Sequence, residues 1–344
     1  MGPAGTLRVD PPKRHDPRLG GRFHRMRILL IGGTRFVGRH VLEQASARGH
    51  EVTALHRGQT EPPDLPPAEH LHVDRETGLQ VLSGRTWDAV VDVCGYAPRI
   101  VRLSAAALQG SVGRYCFVSS ESVYAEPHPS VVTETAPLAT LGASEGGWGW
   151  YGPLKVLCER VVDAVFGQRA LVVRPGYVVG PHDPTDRFTS WIRRAARGGR
   201  MLAPGDPTSV FQFVDGRDLG AFVVALLEAD AGGAFNADGQ PLELGAFLET
   251  CVGVTAAGTE VVWVPESWVL ERRLGELFPM WEPGAAGRVV MDASKARRAG
   301  LANRPIEETI TATLGWDCAR GLPEPMRAGL TPEREAGLLA DLEG

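Results

Sequence analysis

Six short apolar runs punctuate the first half of the chain, at residues 27–31, 51–55, 70–73, 89–93, 115–118 and 170–173. Amphipathic stretches at 37–48, 100–108 and 151–166 lie between several of them. Strands that are apolar on both faces and alternate with helices bury themselves in a parallel sheet with helices on each side. The expected fold class is therefore α/β, a doubly wound parallel sheet. After about residue 180 the alternation weakens into short strands and helices, which predicts a smaller α+β lobe over the carboxyl ends of the sheet. The expected organisation is a disordered extension over 1–25, a sheet domain over 26–180 to which parts of 205–240 return, a small lobe over 181–325 and a tail over 326–344.

Composition narrows the function classes. The 344 residues are 43% hydrophobic and 22% charged, ordinary values for a globular protein with a sizeable core. A net charge of -5 gives no general reason to bind nucleic acid or an acidic membrane. No apolar run approaches the roughly 18 residues of a membrane span. Residues 1–25 are rich in Pro, Gly and Arg and lack the apolar core of a secretory signal, so the fold is expected to begin at Met26. The five cysteines, Cys94, Cys116, Cys158, Cys251 and Cys318, show no CxxC spacing. They read as buried thiols in a reducing cytoplasm, with no metal site.

The first strand runs straight into a glycine loop, "LLIGGTRFVGRH". Gly32 and Gly33 allow a sharp turn, and Gly38 in the first helical turn lets helix and strand pack closely. Such a loop brings backbone N–H groups and a helix N-terminus to a diphosphate. The expected cofactor-binding residues here are Gly32, Gly33, Thr34, Arg35, Phe36, Val37 and Gly38, which makes the sheet Rossmann-type. The pattern is GGxxxxG, with Arg35 where a central glycine is usual. The second strand ends in His56 and Arg57 rather than the acid that accepts from a ribose 2′-OH. Two arginines suit a 2′-phosphate, which guanidinium binds bidentately. NADP(H) is thus the preferred cofactor, with NAD(H) second and Arg35 and Arg57 as the clamp. Asp74 after the third strand and Val93, Cys94 and Gly95 after the fourth lie where adenine and ribose would pass.

"YCFVSSESVYAE" and "WGWYGPLKVLCERVV" carry the chemistry. Tyr151 and Lys155 are four apart at a helix start and so share a face. Moving a hydride to or from a carbinol carbon requires a partner for the oxygen's proton. A phenol with a pKa near 10 becomes a base at neutral pH when an ammonium lies close. Ser120, at the end of a buried strand, would hold the substrate oxygen against Tyr151. The expected catalytic residues are Ser120, Tyr151 and Lys155, the last two also touching the cofactor.

"LLIGGTRFVG", "FVSSESVY", "YGPLK" and "VVRPGYVVGP" together resemble the extended, atypical short-chain dehydrogenase/reductases, the NAD-dependent epimerase/dehydratase family, over about residues 27–315. The resemblance implies a Rossmann domain, a small substrate domain, the Ser120, Tyr151, Lys155 triad and Pro175 and Val178 at the cofactor. It also implies a homodimer built on the helices at 100–108 and 151–166. Dehydratase relatives carry an acid and a base after the catalytic hydroxyl; here Glu121 and Ser122 offer one carboxylate. Nucleotide-sugar relatives carry R-x-x-N where this chain has "RPGY", ending in Tyr177. The expected activity is therefore NADP(H)-linked carbonyl reduction or alcohol oxidation on a small molecule. The alternatives are an NAD-dependent sugar epimerase or dehydratase and, in another class, a non-enzymatic nucleotide- or RNA-binding protein. Expected substrate residues are Glu121, Trp150, Tyr177, His182, Arg187 and Trp281, with Trp148 as a further wall and Phe278 joining Trp281 in a lid.

Overall fold

The computed structural model describes residues 25–126, 128–142, 150–284 and 290–342. Its frame is a seven-stranded sheet in which every pairing is parallel. Strands β1 (Arg27–Ile31), β2 (Glu51–His56), β3 (Glu69–His72), β4 (Trp87–Asp92) and β5 (Val112–Val118) are joined by the strands Ala170–Pro175 and Gly233–Ala237. Across the sheet the order is Gly233–Ala237, Ala170–Pro175, β5, β4, β1, β2, β3. The order reverses direction beside β1, and open α/β sheets bind ligands at such a switch point. Helices α1 (Phe36–Ala47) and α5 (Gly216–Glu228) cover one face. Helices α2 (Pro98–Leu108) and α3 (Tyr151–Phe166) cover the other.

Both faces of the central strands are apolar because both are covered. Ile28, Leu29, Leu30 and Ile31 are all fully buried, Ile28 and Leu30 under α1 and α5, Leu29 and Ile31 under α2 and α3. Each such side chain contributes roughly 1.5–3 kcal/mol on burial. That is why β1 reads as an unbroken apolar run.

A second apolar cluster, outside the sheet, gathers Phe188 and Trp191 of α4 (Arg187–Arg197), Phe247 of the helix Leu244–Thr255, and Phe278 and Trp281. Two parallel strand pairs border it: Tyr177–Val179 with Phe213–Asp215, and Gly199–Pro204 with Thr259–Val264. This cluster corrects one expectation. Phe278 is fully buried and stacks on Trp191, and Trp281 packs edge-on against Phe278, so the pair is core rather than a lid. Residues 326–344 are also more than a tail. They include the helix Pro332–Ala340, whose Glu335 carboxylate is buried against Arg194 of α4 at 2.5 Å. Of the five free cysteines, Cys116, Cys158 and Cys251 are buried as expected, Cys94 is partly so, and Cys318 is exposed. Among the described residues no helix is long and apolar enough to cross a membrane.

Candidate active site

The glycine loop is a close-packed cradle. Gly32 has φ +89°, and a Cβ there would stand 2.9 Å from Cys94 Sγ and 3.3 Å from Val93 Cγ2. A Cβ on Gly38 would meet the Gly32 carbonyl oxygen at 2.3 Å. Any side chain at Gly38 would drive the N-terminus of α1 off the loop. The close approach of loop and helix brings the N-terminus of α1, with its unpaired backbone N–H groups, to the end of β1, the arrangement a diphosphate needs. The unusual arginine is explained by the same geometry. Arg35 has φ -134° and ψ 145°, an extended conformation open to any residue. The left-handed backbone falls one position later, at Phe36 with φ 38°. A glycine at 35 is not required by conformation, and the Arg35 side chain is exposed.

The adenosine end is less uniform. Arg57 is exposed just beyond β2. His56 is buried, and its Nε2 lies 2.8 Å from His70 Nδ1, so it faces β3. Asp74 is exposed and accepts from the backbone N–H of Glu76 at 2.8 Å, stabilising its own turn. The residue after it does more. Arg75 donates to Asp92 Oδ1 at 3.0 Å and Oδ2 at 2.7 Å, and the buried Asp92 also accepts from Tyr115 OH at 2.9 Å and Cys94 N–H at 3.2 Å. This fully hydrogen-bonded carboxylate fixes the end of β4 beneath Cys94 and Gly95. Gly95 has no space for a side chain, since a Cβ would meet Phe117 at 2.4 Å. Pro175 ends its strand buried and Val178 packs against the main core.

Ser120, Tyr151 and Lys155 meet where β5 ends against α3. Gly152 makes the approach possible: a Cβ there would lie 1.9 Å from the Ser122 carbonyl oxygen. The first turn of α3 thus rests on the Ser120–Ser122 turn. Ser120 Oγ accepts from Ser122 N–H at 3.2 Å and lies 3.1 Å from Ser122 Oγ. Lys155 is buried and donates to the carbonyls of Val118 at 2.8 Å and Gly95 at 3.2 Å. Burial lowers its pKa to about 8. The phenol of Tyr151 is pushed above its ordinary value by burial, while a hydrogen bond from the Ser120 hydroxyl and the field of Arg187 pull it back. The sequence argument expected Lys155 to lower the phenol, and that does not appear here. The ammonium's hydrogen bonds go to backbone carbonyls, and its charge is itself disfavoured by burial.

α3 is held in place from below. Arg174 makes a two-pronged ion pair with Glu159 of α3, at 3.0 and 2.7 Å, and donates to Tyr124 OH at 3.0 Å. The arginine of "RPGY" is thus an anchor for the helix that carries Tyr151 and Lys155.

The expected substrate residues divide. Glu121 follows Ser120 directly, and Arg187 lies near enough to act on Tyr151. The Arg187 guanidinium stands 5.0 Å above the Tyr177 ring, whose hydroxyl donates to Glu282 at 3.2 Å. Trp150, just before α3, is 53% exposed. Trp148 lies outside the described residues. His182 sits elsewhere, in a cleft of about 260 Å³ beside the glycine loop with Arg35, Trp316, Arg320 and Arg327. Burial, with Arg39 and His40 nearby, lowers its pKa to about 4. Trp281 belongs to the second core.

Asp238 was missed by the sequence argument. It is fully buried, its Oδ2 has no hydrogen-bond partner among the described residues, and its Oδ1 accepts from Gly239 N–H at 3.0 Å. A Cβ on Gly176 would meet Asp238 Oδ2 at 2.2 Å and Glu121 Oε2 at 2.9 Å, so the two carboxyl groups converge on one point beside Ser120. Burial first, then the charge of Glu121, holds Asp238 protonated well above the ordinary carboxylate range. The glycine at 176 was the available signal, since its lack of a side chain admits both groups.

Residues 28–97 and 97–237 match the model of the NAD-dependent epimerase/dehydratase family. Among curated proteins the chain is 28% identical over 269 residues to the 4-hydroxy-2-methyl-3-oxo-4-farnesyl-3,4-dihydroquinoline-1-oxide ketoreductase of Stigmatella aurantiaca, covering 70% of this chain and 76% of that one. It is 27% identical over 238 residues to the dTDP-4-dehydro-6-deoxy-D-allose reductase of Streptomyces bikiniensis, covering 58% of this chain and 72% of that one. Its fold matches that of UDP-glucuronic acid 4-epimerase from Bacillus cereus in complex with NAD, at a TM-score of 0.65 and 15% identity over 88% of this chain and 100% of that one. The chain therefore belongs to the NAD-dependent epimerase/dehydratase family and is an NAD(P)-dependent enzyme of the short-chain dehydrogenase/reductase type.

Proposed function

We propose that the protein moves hydride between NADP(H) and a carbonyl or secondary alcohol of a small molecule, with Ser120, Tyr151 and Lys155 as its catalytic residues. The observation that carries this reading is the hydrogen bond between Ser120 and Tyr151, at the carboxyl edge of the sheet and one helical turn from a buried lysine. The ketoreductase and reductase relatives support reduction as the direction. The glycine cradle fits a dinucleotide diphosphate, and Arg35 and Arg57 would receive a 2′-phosphate. When bound, the cofactor supplies or accepts the hydride. The chain's own residues handle the oxygen. Ser120 Oγ donates to the substrate oxygen, and Tyr151 OH delivers or takes its proton. Lys155 Nζ, fixed by the carbonyls of Gly95 and Val118 one helical turn from Tyr151, would hold the bound cofactor in place. Arg187 and Tyr177 border the substrate side.

NADPH binding, followed by cofactor fluorescence, should persist in Tyr151→Phe, while turnover on a carbonyl panel falls by about 10²–10⁴-fold, the usual weight of a positioned proton donor. Wild-type turnover in that variant would remove Tyr151 from its role. Arg35→Glu combined with Arg57→Glu should shift preference from NADPH toward NADH; an unchanged ratio would dismiss the clamp.

A second reading, dehydration or epimerisation within a retained-cofactor cycle, is favoured by one observation. Asp238 supplies beside Glu121 the second carboxyl group that Ser122 does not provide, and a carboxyl pair sharing protons can act as acid and base. Solvent deuterium appearing at a substrate carbon without net cofactor change would mark that route. We also propose that α2 and α3, which pack side by side, form the face of a homodimer.

A further inference from the structure

The free edge of the sheet carries a set of side chains that no step above uses. β2 and β3 run in register, with His56 opposite His72 and Ala54 opposite His70. Residues two apart on a strand share a face, so His70 and His72 project from one side of β3 and His56 joins them from β2. The connecting loop returns Glu61 over the same face. His72 Nε2 lies 2.7 Å from Glu61 Oε2, His70 Nδ1 is 3.6 Å from Glu61 Oε1, and His56 Nε2 is 4.0 Å from Glu61 Oε2. One donor atom from each of the four residues lies within 4.8 Å of all the others.

We propose that this cluster is a binding site for a zinc-type divalent cation, with His70, His72 and Glu61 as core ligands and His56 as the fourth. Zinc ligands stand about 2.0–2.2 Å from the ion, so in a tetrahedron they are roughly 3.4 Å apart. The observed spacings fall on both sides of that value, and small side-chain rotations reach it. Imidazole nitrogens with one carboxylate oxygen suit zinc; magnesium and calcium take oxygen ligands. Two hydrogen-bonded strands present the three imidazoles ready-made, and the exposure of His72 leaves a way in.

The division into core and fourth ligand follows from proton positions. The Gly58 N–H donates to His56 Nδ1 at 3.1 Å, so the neutral ring carries its proton on Nε2, which faces His70 Nδ1 at 2.8 Å. Ligation by His56 moves that proton to Nδ1 and gives up the Gly58 bond. Ligation by His72 also moves a proton, the one its Nε2 donates to Glu61 Oε2, but the bond given up is to a group that becomes a ligand itself rather than to a backbone N–H. A cation here would clip the loop at 57–68 and the short edge strand β3 to β2, next to Arg57.

The test uses the full-length, tag-free protein, stripped with a chelator and titrated with Zn²⁺ alone and with Co²⁺ alone. One equivalent should bind per chain, with Co²⁺ developing the strong visible absorption of a four-coordinate site and Zn²⁺ displacing it. Loss of an outer-shell partner costs roughly 10–100-fold in metal affinity, so His72→Ala and Glu61→Gln, each removing a ligand, should lose more than about 100-fold. His128→Ala, outside the cluster, should bind as wild type. Zn²⁺ should raise the thermal midpoint of the wild type and of His128→Ala but not of the two ligand variants. Both ligand positions are exposed, and an unchanged midpoint in chelator verifies their folding. Absence of stoichiometric binding, or wild-type affinity in both ligand variants, overturns the site.

Discussion

At the scale of single residues, Asp238 titrates differently in the folded and the unfolded chain. Its unfolded carboxyl titrates near 3.8, whereas burial and the neighbouring Glu121 raise it well above that in the fold. Between those two values the folded state binds more protons than the unfolded one, so stability contributed by this residue falls as pH rises above about 4. Asp238→Asn keeps the shape, carries no titrating proton and removes the dependence. Denaturant unfolding from pH 4 to pH 8 should show the variant gaining on the wild type as pH rises. A parallel pair of curves would place the Asp238 proton elsewhere. The same residue shows where sequence reading stops. The placement of Gly32 and Gly38 in the loop after β1, and of Tyr151 and Lys155 on one turn of α3, was legible because it depends on local spacing. Asp238 reaches Glu121 across 117 positions of chain, and no local pattern announces such a meeting.

At the scale of elements, α3 is the part on which the site depends. Its sequence predicts a helix over 151–166 and the structure forms it over Tyr151–Phe166, because its apolar face buries Val156, Cys158 and Val162 against the sheet. What periodicity did not supply is the helix's height over the β5 turn. That is set by contact between Gly152 and the Ser122 carbonyl, and by the ion pair of Glu159 with Arg174. Gly152→Ala places a methyl group where a backbone oxygen already stands at 1.9 Å. Helix propensity alone would favour alanine by up to about 1 kcal/mol, but overpacking costs about 1–3 kcal/mol and displaces the helix start. The variant should lose on the order of 10²-fold in turnover through misplacement of Tyr151, with NADPH binding retained. Turnover equal to wild type would show that the turn can yield.

At the scale of the whole molecule, the parallel sheet was legible because every central strand is buried on both faces and reads as an apolar run. The second half was not. Apart from Gly233–Ala237, its described strands pair in twos, and its core is closed by residues that look like surface: Arg194 in a helix of arginines, and Glu335 in what reads as a charged tail. Glu335 is 1% exposed; its carboxylate takes Arg194 at 2.5 Å and Leu202 N–H at 2.8 Å and is also paired with Arg197. A charged group this deep is tolerated only when paired, and removing one partner strands the other without water. Burial already pulls the Arg194 guanidinium below its ordinary value, and its Nη1 has no partner among the described residues. Glu335→Ala should therefore cost about 3–5 kcal/mol, far more than a substitution in an exposed tail. Arg194→Met combined with Glu335→Leu should recover part of that loss, because no charge is left buried, while the Leu202 N–H and carbonyl that these two side chains held still lose their partners. Chemical denaturation of the three proteins measures both numbers. A Glu335→Ala loss below about 0.5 kcal/mol, the range of ordinary surface changes, would mean that the C-terminal helix does not close this core.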